Sequence, residues 1–157
     1  MSENAAPPST EEIPDLLRDA LVQTAFAVMT AVTAAAARYE LSLPLWRILA
    51  ILRDREPRMS DLAAHLGLDR STITGIVDRA VARGLMQKLA DESDRRANRV
   101  ALTDAGRALT LECLTQVDRE LAPLIADLDA DARQRLTAAL AALLAATPTR
   151  VGADGNR

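Results

Sequence analysis

The chain has 157 residues and a mass of 16.9 kDa, enough for one domain or two small interlocked ones. Hydrophobic residues make up 49% and charged residues 26%, a globular balance that excludes a disordered or collagen-like chain. Net charge is −3, and aromatics are only 2% (Phe26, Tyr39 and Trp46), so stacking on single-stranded nucleic acid has no platform. A single cysteine, Cys113, excludes an internal disulfide and a multi-cysteine metal site. A single histidine, His65, leaves little for His-ligated zinc or a His-centred triad, so no catalytic residue, metal or cofactor is expected.

Residues 1–12 are acidic and rich in Pro and Ser, with no basic run before an apolar stretch; they read as a tail and not a signal peptide. A helix begins near Ile13, with Pro14 in its first turn. Leu17, Leu21, Thr24, Val28, Ala31 and Ala35 form one stripe at three- and four-residue spacing, and small residues surround much of the circumference. Ala20 to Ala37 carries no charge, but its Ala, Thr and Gln content suits burial against a second subunit better than a membrane span.

Ser42 caps a second helix with Pro44 in its first turn, and Trp46, Leu49, Ile51 and Leu52 supply the buried side. Ser60 is expected to cap a short helix from Asp61 to Leu66, and Gly67 stops it. Asp69 caps a helix from Arg70 to about Arg83, closed by Gly84. Helix, tight turn, helix is a helix-turn-helix by length and punctuation.

The period then changes to two. Leu85–Leu89 and Asn98–Leu102 read as strands of a hairpin whose tip is the charged turn Asp91–Arg96. Thr103 caps a long helix from Asp104 to about Leu124, bent near Pro123. Asp129 caps a last helix to about Ala146, with Leu136, Leu140, Leu143 and Leu144 on one face. Residues 148–157 read as a second tail. The fold class is mainly α with a small β-hairpin wing: a winged helix-turn-helix lobe plus a helical region.

Charge is unevenly placed. The window from Arg58 to Thr103 holds eight basic residues against six acidic ones, while the rest of the chain holds the acidic excess. The second helix of the helix-turn-helix turns Ile73, Ile76, Val77, Ala80 and Val81 inward and presents Arg70, Ser71, Thr74, Gly75 and Asp78 outward. Short hydroxyls and glycine on an exposed helix face allow close approach to base edges and phosphates. Arg95 and Arg96 beside Asp94 at the hairpin tip suit a narrow minor groove, with the carboxylate orienting a guanidinium. A solvated helix face and a solubilising turn would use similar residues, but the two in succession favour double-stranded DNA as partner.

Gly84-Leu85-Met86, Asp91 to Arg96, Val100, Leu102-Thr103 and Gly106 resemble the winged-helix signature of the MarR family of bacterial transcription regulators. Leu43 to Leu49, Leu62 to Gly67 and Arg70 to Thr74 fit the same pattern, and the resemblance spans about residues 13–147. It implies a cytoplasmic homodimer in which residues 13–40 and 104–147 interlock and residues 41–103 form the DNA-binding lobe. It implies a repressor on a pseudo-palindromic operator, with recognition helices in the major groove and wing arginines in the minor groove. By position, Ser71, Thr72 and Thr74 would face bases or adjacent phosphates. Arg70 and Lys88 would contact phosphates, Arg96 the minor groove, and Asp94 would orient it. Gly75 and Leu89 depart from positions that are often basic in the family, which implies thinner base readout. A small aromatic or lipophilic effector would lie in a crevice lined by Phe26, Met29, Tyr39, Trp46 and Leu49, though core packing accounts for the same residues. The alternative is a winged-helix dimer that binds protein or a small molecule without specific DNA binding.

Overall fold

The computed structural model describes residues 13–90 and 98–146. Six α-helices and one hairpin follow one another among these residues: α1 Asp15–Ala37, α2 Leu43–Leu52, α3 Met59–Leu66, α4 Arg70–Ala82, β1 Met86–Ala90, β2 Asn98–Leu102, α5 Asp104–Leu121 and α6 Ala130–Ala146. The mainly α class with a two-stranded antiparallel wing is therefore the observed one.

Helix boundaries follow local chemistry. The Ser42 hydroxyl accepts from the Leu45 N–H at the start of α2, with Pro44 in the first turn. Asp69 caps α4 by accepting from the Thr72 N–H at 2.8 Å, and Asp129 caps α6 by accepting from the Ala132 N–H at 2.8 Å. Gly67 and Gly84 sit at φ +63° and +72°, the left-handed region in which a Cβ would be strained. Behind Gly84 the Leu85 N–H reaches back to the Ala80 carbonyl at 2.9 Å and closes the end of α4.

Three boundaries differ from the sequence expectation. Helix α3 starts at Met59, not Asp61, because the Arg58 carbonyl takes the Asp61 and Leu62 N–H groups; the Ser60 hydroxyl turns to Asp61 Oδ1 instead of capping. Strand β1 starts at Met86, since Leu85 is committed to closing α4. Helix α5 ends at Leu121, and Pro123 lies inside a 3-10 turn over Ala122–Ile125. Ile51 is half-buried and Val81 is 36% exposed, so neither is a full core position.

In the hairpin, Met86 pairs with Leu102, Lys88 with Val100 and Ala90 with Asn98. The Val100 N–H donates to the Pro57 carbonyl at 3.0 Å, and Arg58 bridges Arg99, which ties the segment before α3 to the wing. One core joins α2, α3, α4 and the hairpin to α1 and α5. Ile48, Leu49, Leu52, Leu62, Ile73, Val77 and Val100 are at its centre, with Trp46 beside them. Ala35 and Ala36 bring the C-terminal half of α1 into this core, and α1 packs along α5.

Beside the shared core, a hydrogen-bonded junction fastens the lobe to the start of α5. The Thr103 hydroxyl donates to the Gly84 carbonyl at 2.6 Å and accepts from the Gly106 N–H at 3.0 Å, while the Thr103 N–H reaches the Leu85 carbonyl. A Cβ at Gly106 would lie 2.0 Å from the Leu85 carbonyl oxygen. Only glycine lets α5 pass this close to the end of α4.

Much apolar surface is left uncovered. Helix α6 has no buried residue, and Leu136, Leu140, Leu143 and Leu144 are exposed on it. Leu16, Leu17, Leu21, Val22 and Phe26 are exposed on the N-terminal half of α1, Phe26 at 66%. By length and composition α1 could cross a membrane, as a mean hydropathy of 1.7 over its most apolar window indicates.

Candidate nucleic-acid interface

The outward face of α4 starts from its cap. Asp69 Oδ1 accepts from the Ser71 hydroxyl and the Thr72 N–H, and Asp69 Oδ2 accepts from the Thr72 hydroxyl at 2.6 Å. These bonds, the Ser71 hydroxyl foremost, hold the Asp69 carboxyl far below the usual carboxylate range. The carboxylate therefore stays ionised at the positive end of the helix. The Thr74 hydroxyl donates to the Arg70 carbonyl at 2.7 Å, so all three hydroxyls expected on this face have their protons committed within the helix. Their oxygens still have lone pairs, and the methyls of Thr72 and Thr74 keep their apolar contact surface.

Arg70 is exposed at the first position of α4, and Gly75 is half-buried one turn beyond Ser71. Lys88 on β1 reaches back to α4, its Nζ 2.6 Å from Asp78 Oδ1. This ion pair clasps the wing to α4 at its solvent edge. Arg79, which the sequence reading does not single out, is exposed on α4. Its Nη1 lies 3.4 Å from where a Cβ on Gly75 would be, so the guanidinium lies over the bare backbone of the preceding turn. The signal was available: positions four apart share a helix face, and helical side chains lean toward the N-terminus.

Asp94, Arg95 and Arg96 lie outside the described residues. The strands below them are described, and the neighbouring Arg99 is fixed to Glu56 by its Nε on the carbonyl at 2.9 Å and its Nη2 on Oε2 at 3.1 Å.

The five residues expected around an effector crevice separate into two groups. Trp46 and Leu49 are buried in the core, whereas Phe26 and Met29 are exposed on α1. Tyr39 is half-buried, its hydroxyl donating to the Glu112 carbonyl at 3.2 Å. A crevice of about 290 Å³ between α2 and α3, lined by Ile51, Arg55, Pro57, Asp61, Leu62, Ala64 and His65, includes none of the five. Cys113 is buried on α5, and burial pushes its thiol up from the usual value.

The sequence model of the MarR family matches residues 41–97, the span from the start of α2 into the wing. The homoprotocatechuate degradative operon repressor of Escherichia coli is 33% identical over 125 residues, covering 78% of this chain and 84% of that protein. The chain belongs to the MarR family. Among solved structures, a MarR-family transcriptional regulator from Rhodococcus sp. RHA1 superposes with a TM-score of 0.72 at 24% identity, over 88% of this chain and 99% of that one. CouR from Rhodococcus jostii RHA1, solved with p-coumaroyl-CoA, gives 0.70 at 25% identity over 88% and 98%. The helix-turn-helix and hairpin described above are thus the winged helix of a MarR-type transcriptional regulator.

Proposed function

We propose that this MarR-family chain is a cytoplasmic homodimeric repressor that binds a pseudo-palindromic DNA operator and responds to a small aromatic effector. The observation that carries the reading is the outward face of α4, short-sided and rigidly capped, with the wing clasped beside it by Lys88 and Asp78. Arg70, Ser71, Thr72, Thr74 and Gly75 enter the major groove, Lys88 reaches a phosphate once DNA competes for it, and Asp94, Arg95 and Arg96 carry the minor-groove contact.

The exposed apolar strips on α1 and α6 support the dimer. They lie on the first and last helices, outside the lobe's core, and a second copy would cover both at once. The same covering accounts for α1 better than lipid does, since its C-terminal half is committed to the core with α5 and Asp15, Arg18 and Asp19 mark its first turns. Residues 13–40 and 104–147 then form the dimer region, residues 41–103 the DNA-binding lobe, and residues 1–12 and 148–157 its tails. An aromatic effector is supported by a relative named for homoprotocatechuate degradation and by the CouR complex. Phe26 and Met29 lie on the helix that dimerisation would cover, and Tyr39 packs against the core that holds Trp46 and Leu49.

Fluorescence anisotropy on a duplex carrying the operator, repeated across salt concentrations, tests the DNA reading. Log K falls linearly with log salt, by about 0.9 for each phosphate neutralised. A module that binds protein through apolar anchors gives no such line.

A further inference from the structure

Beyond Arg70 at its start, the outward strip of α4 is poor in free donors. The Ser71, Thr72 and Thr74 hydroxyl protons are used within the helix, and the Asp78 carboxylate is taken by Lys88. At the centre of the strip Gly75 offers no side chain at all. The guanidinium of Arg79 reaches into this gap: Nη1 lies at van der Waals distance from the place of the missing Cβ, and the residue is exposed. Among the described residues the guanidinium has no hydrogen bond or ion pair. It therefore arrives at the DNA-facing surface with its donors unspent.

We infer that Arg79, seated over Gly75, is the principal base-reading residue of the recognition helix and selects guanine in each half-site. The chemistry favours guanine because a guanidinium presents two parallel N–H groups to O6 and N7 in the major groove, the commonest specific contact to DNA. Gly75 is part of the device. A side chain at this position would meet the guanidinium, whose Nη1 lies 3.4 Å from the place of a Cβ. The inference rests on the DNA-binding reading above, and it makes position 79 the source of specificity at the middle of the helix, where the hydroxyls are capped and Asp78 is paired, with Arg70 a separate contact at the helix start.

The test uses the full chain with a bound duplex and a panel in which each base pair of one half-site is replaced in turn. Wild type loses affinity when one particular G·C pair is replaced. Arg79→Ala binds the parent duplex about ten- to a hundredfold more weakly and becomes indifferent at that pair alone, while the other positions keep their effects. Arg79→Lys keeps the positive charge and still loses discrimination there, because a point charge does not make the bidentate contact. Circular dichroism confirms that the helix is intact, as expected for an exposed residue replaced by a better helix former. The inference is overturned if Arg79→Ala weakens every duplex equally and lowers the salt slope by about one, the behaviour of a phosphate contact. It is also overturned if affinity is unchanged. If wild type itself discriminates no sequence, the DNA-binding reading fails, a result distinct from either.

Discussion

Lys88 Nζ lies 2.6 Å from Asp78 Oδ1, joining the first strand of the wing to the outer edge of the recognition helix. Both partners are substantially exposed, so the pair contributes little to stability, within about 1 kcal/mol. Its consequence is for charge on the proposed DNA surface. As long as Asp78 holds Lys88, the lysine is partly neutralised before DNA arrives. Asp78→Asn should raise affinity for non-operator duplex and steepen the salt dependence by about one phosphate, whereas Lys88→Ala should lower both. Anisotropy titrations at several salt concentrations measure the two slopes.

Gly106 should tolerate no side chain. The added Cβ of Gly106→Ala would overlap the Leu85 carbonyl oxygen, which is backbone and fixed by the end of α4. A loss of about 3 kcal/mol or more is expected, at the severe end for point substitutions. Thr103→Val at the same junction removes the cap of α5 and the bond to Gly84, for about 1–2 kcal/mol. Urea denaturation followed by circular dichroism distinguishes the two.

The Asp69 carboxyl, held low by Ser71 and Thr72, sets a pH window. Its folded value is depressed, so its stabilising contribution is complete above the unfolded value of about 3.9 and is lost as pH falls through the folded one. The start of α4 should therefore remain capped in acid that protonates ordinary carboxylates. A carboxyl-detected NMR titration should find Asp69 still ionised below the ordinary carboxylate range. Asp69→Ala should remove that feature and speed exchange of the Thr72 amide.

Much of this arrangement was legible in the sequence because it depends on local chemistry. Ser42, Asp69, Thr103 and Asp129 each name a helix start, and Gly67 and Gly84 each name a stop. The start of α3 is not legible in this way, because the group that sets it is a backbone carbonyl, at Arg58, and no side chain advertises that. Cross-element contacts were equally hidden. The Asp78–Lys88 pair spans ten positions and a change of secondary structure, and the clasp of Thr103 on Gly84 depends on how α5 leaves the hairpin. The residues expected around an effector are of two kinds, Trp46 in the core and Phe26 on the surface, and composition does not say which helix face is left uncovered.

The uncovered faces predict assembly. Phe26→Glu on α1 or Leu140→Glu on α6 should each weaken self-association, with the lobe's own core untouched. Size-exclusion chromatography with light scattering should give twice the mass of the 16.9 kDa chain for wild type and a shift toward single chains for the variants. Unchanged mass in both variants would remove these faces from the interface.

The buried thiol of Cys113, pushed up by desolvation, should be inert. A thiol reagent such as DTNB should leave the folded protein unmodified at neutral pH and titrate one group after denaturation. Rapid labelling of native protein would contradict its place in the core.

The central claim is that two copies of α4, each with its wing, address one duplex together. Selection from a pool of random duplexes with the full-length protein tests this most directly. The account predicts enrichment of an inverted repeat whose half-site centres lie about one helical turn, roughly 34 Å, apart. A pool that shows no enrichment, or that converges on a single half-site bound by one chain, would contradict it.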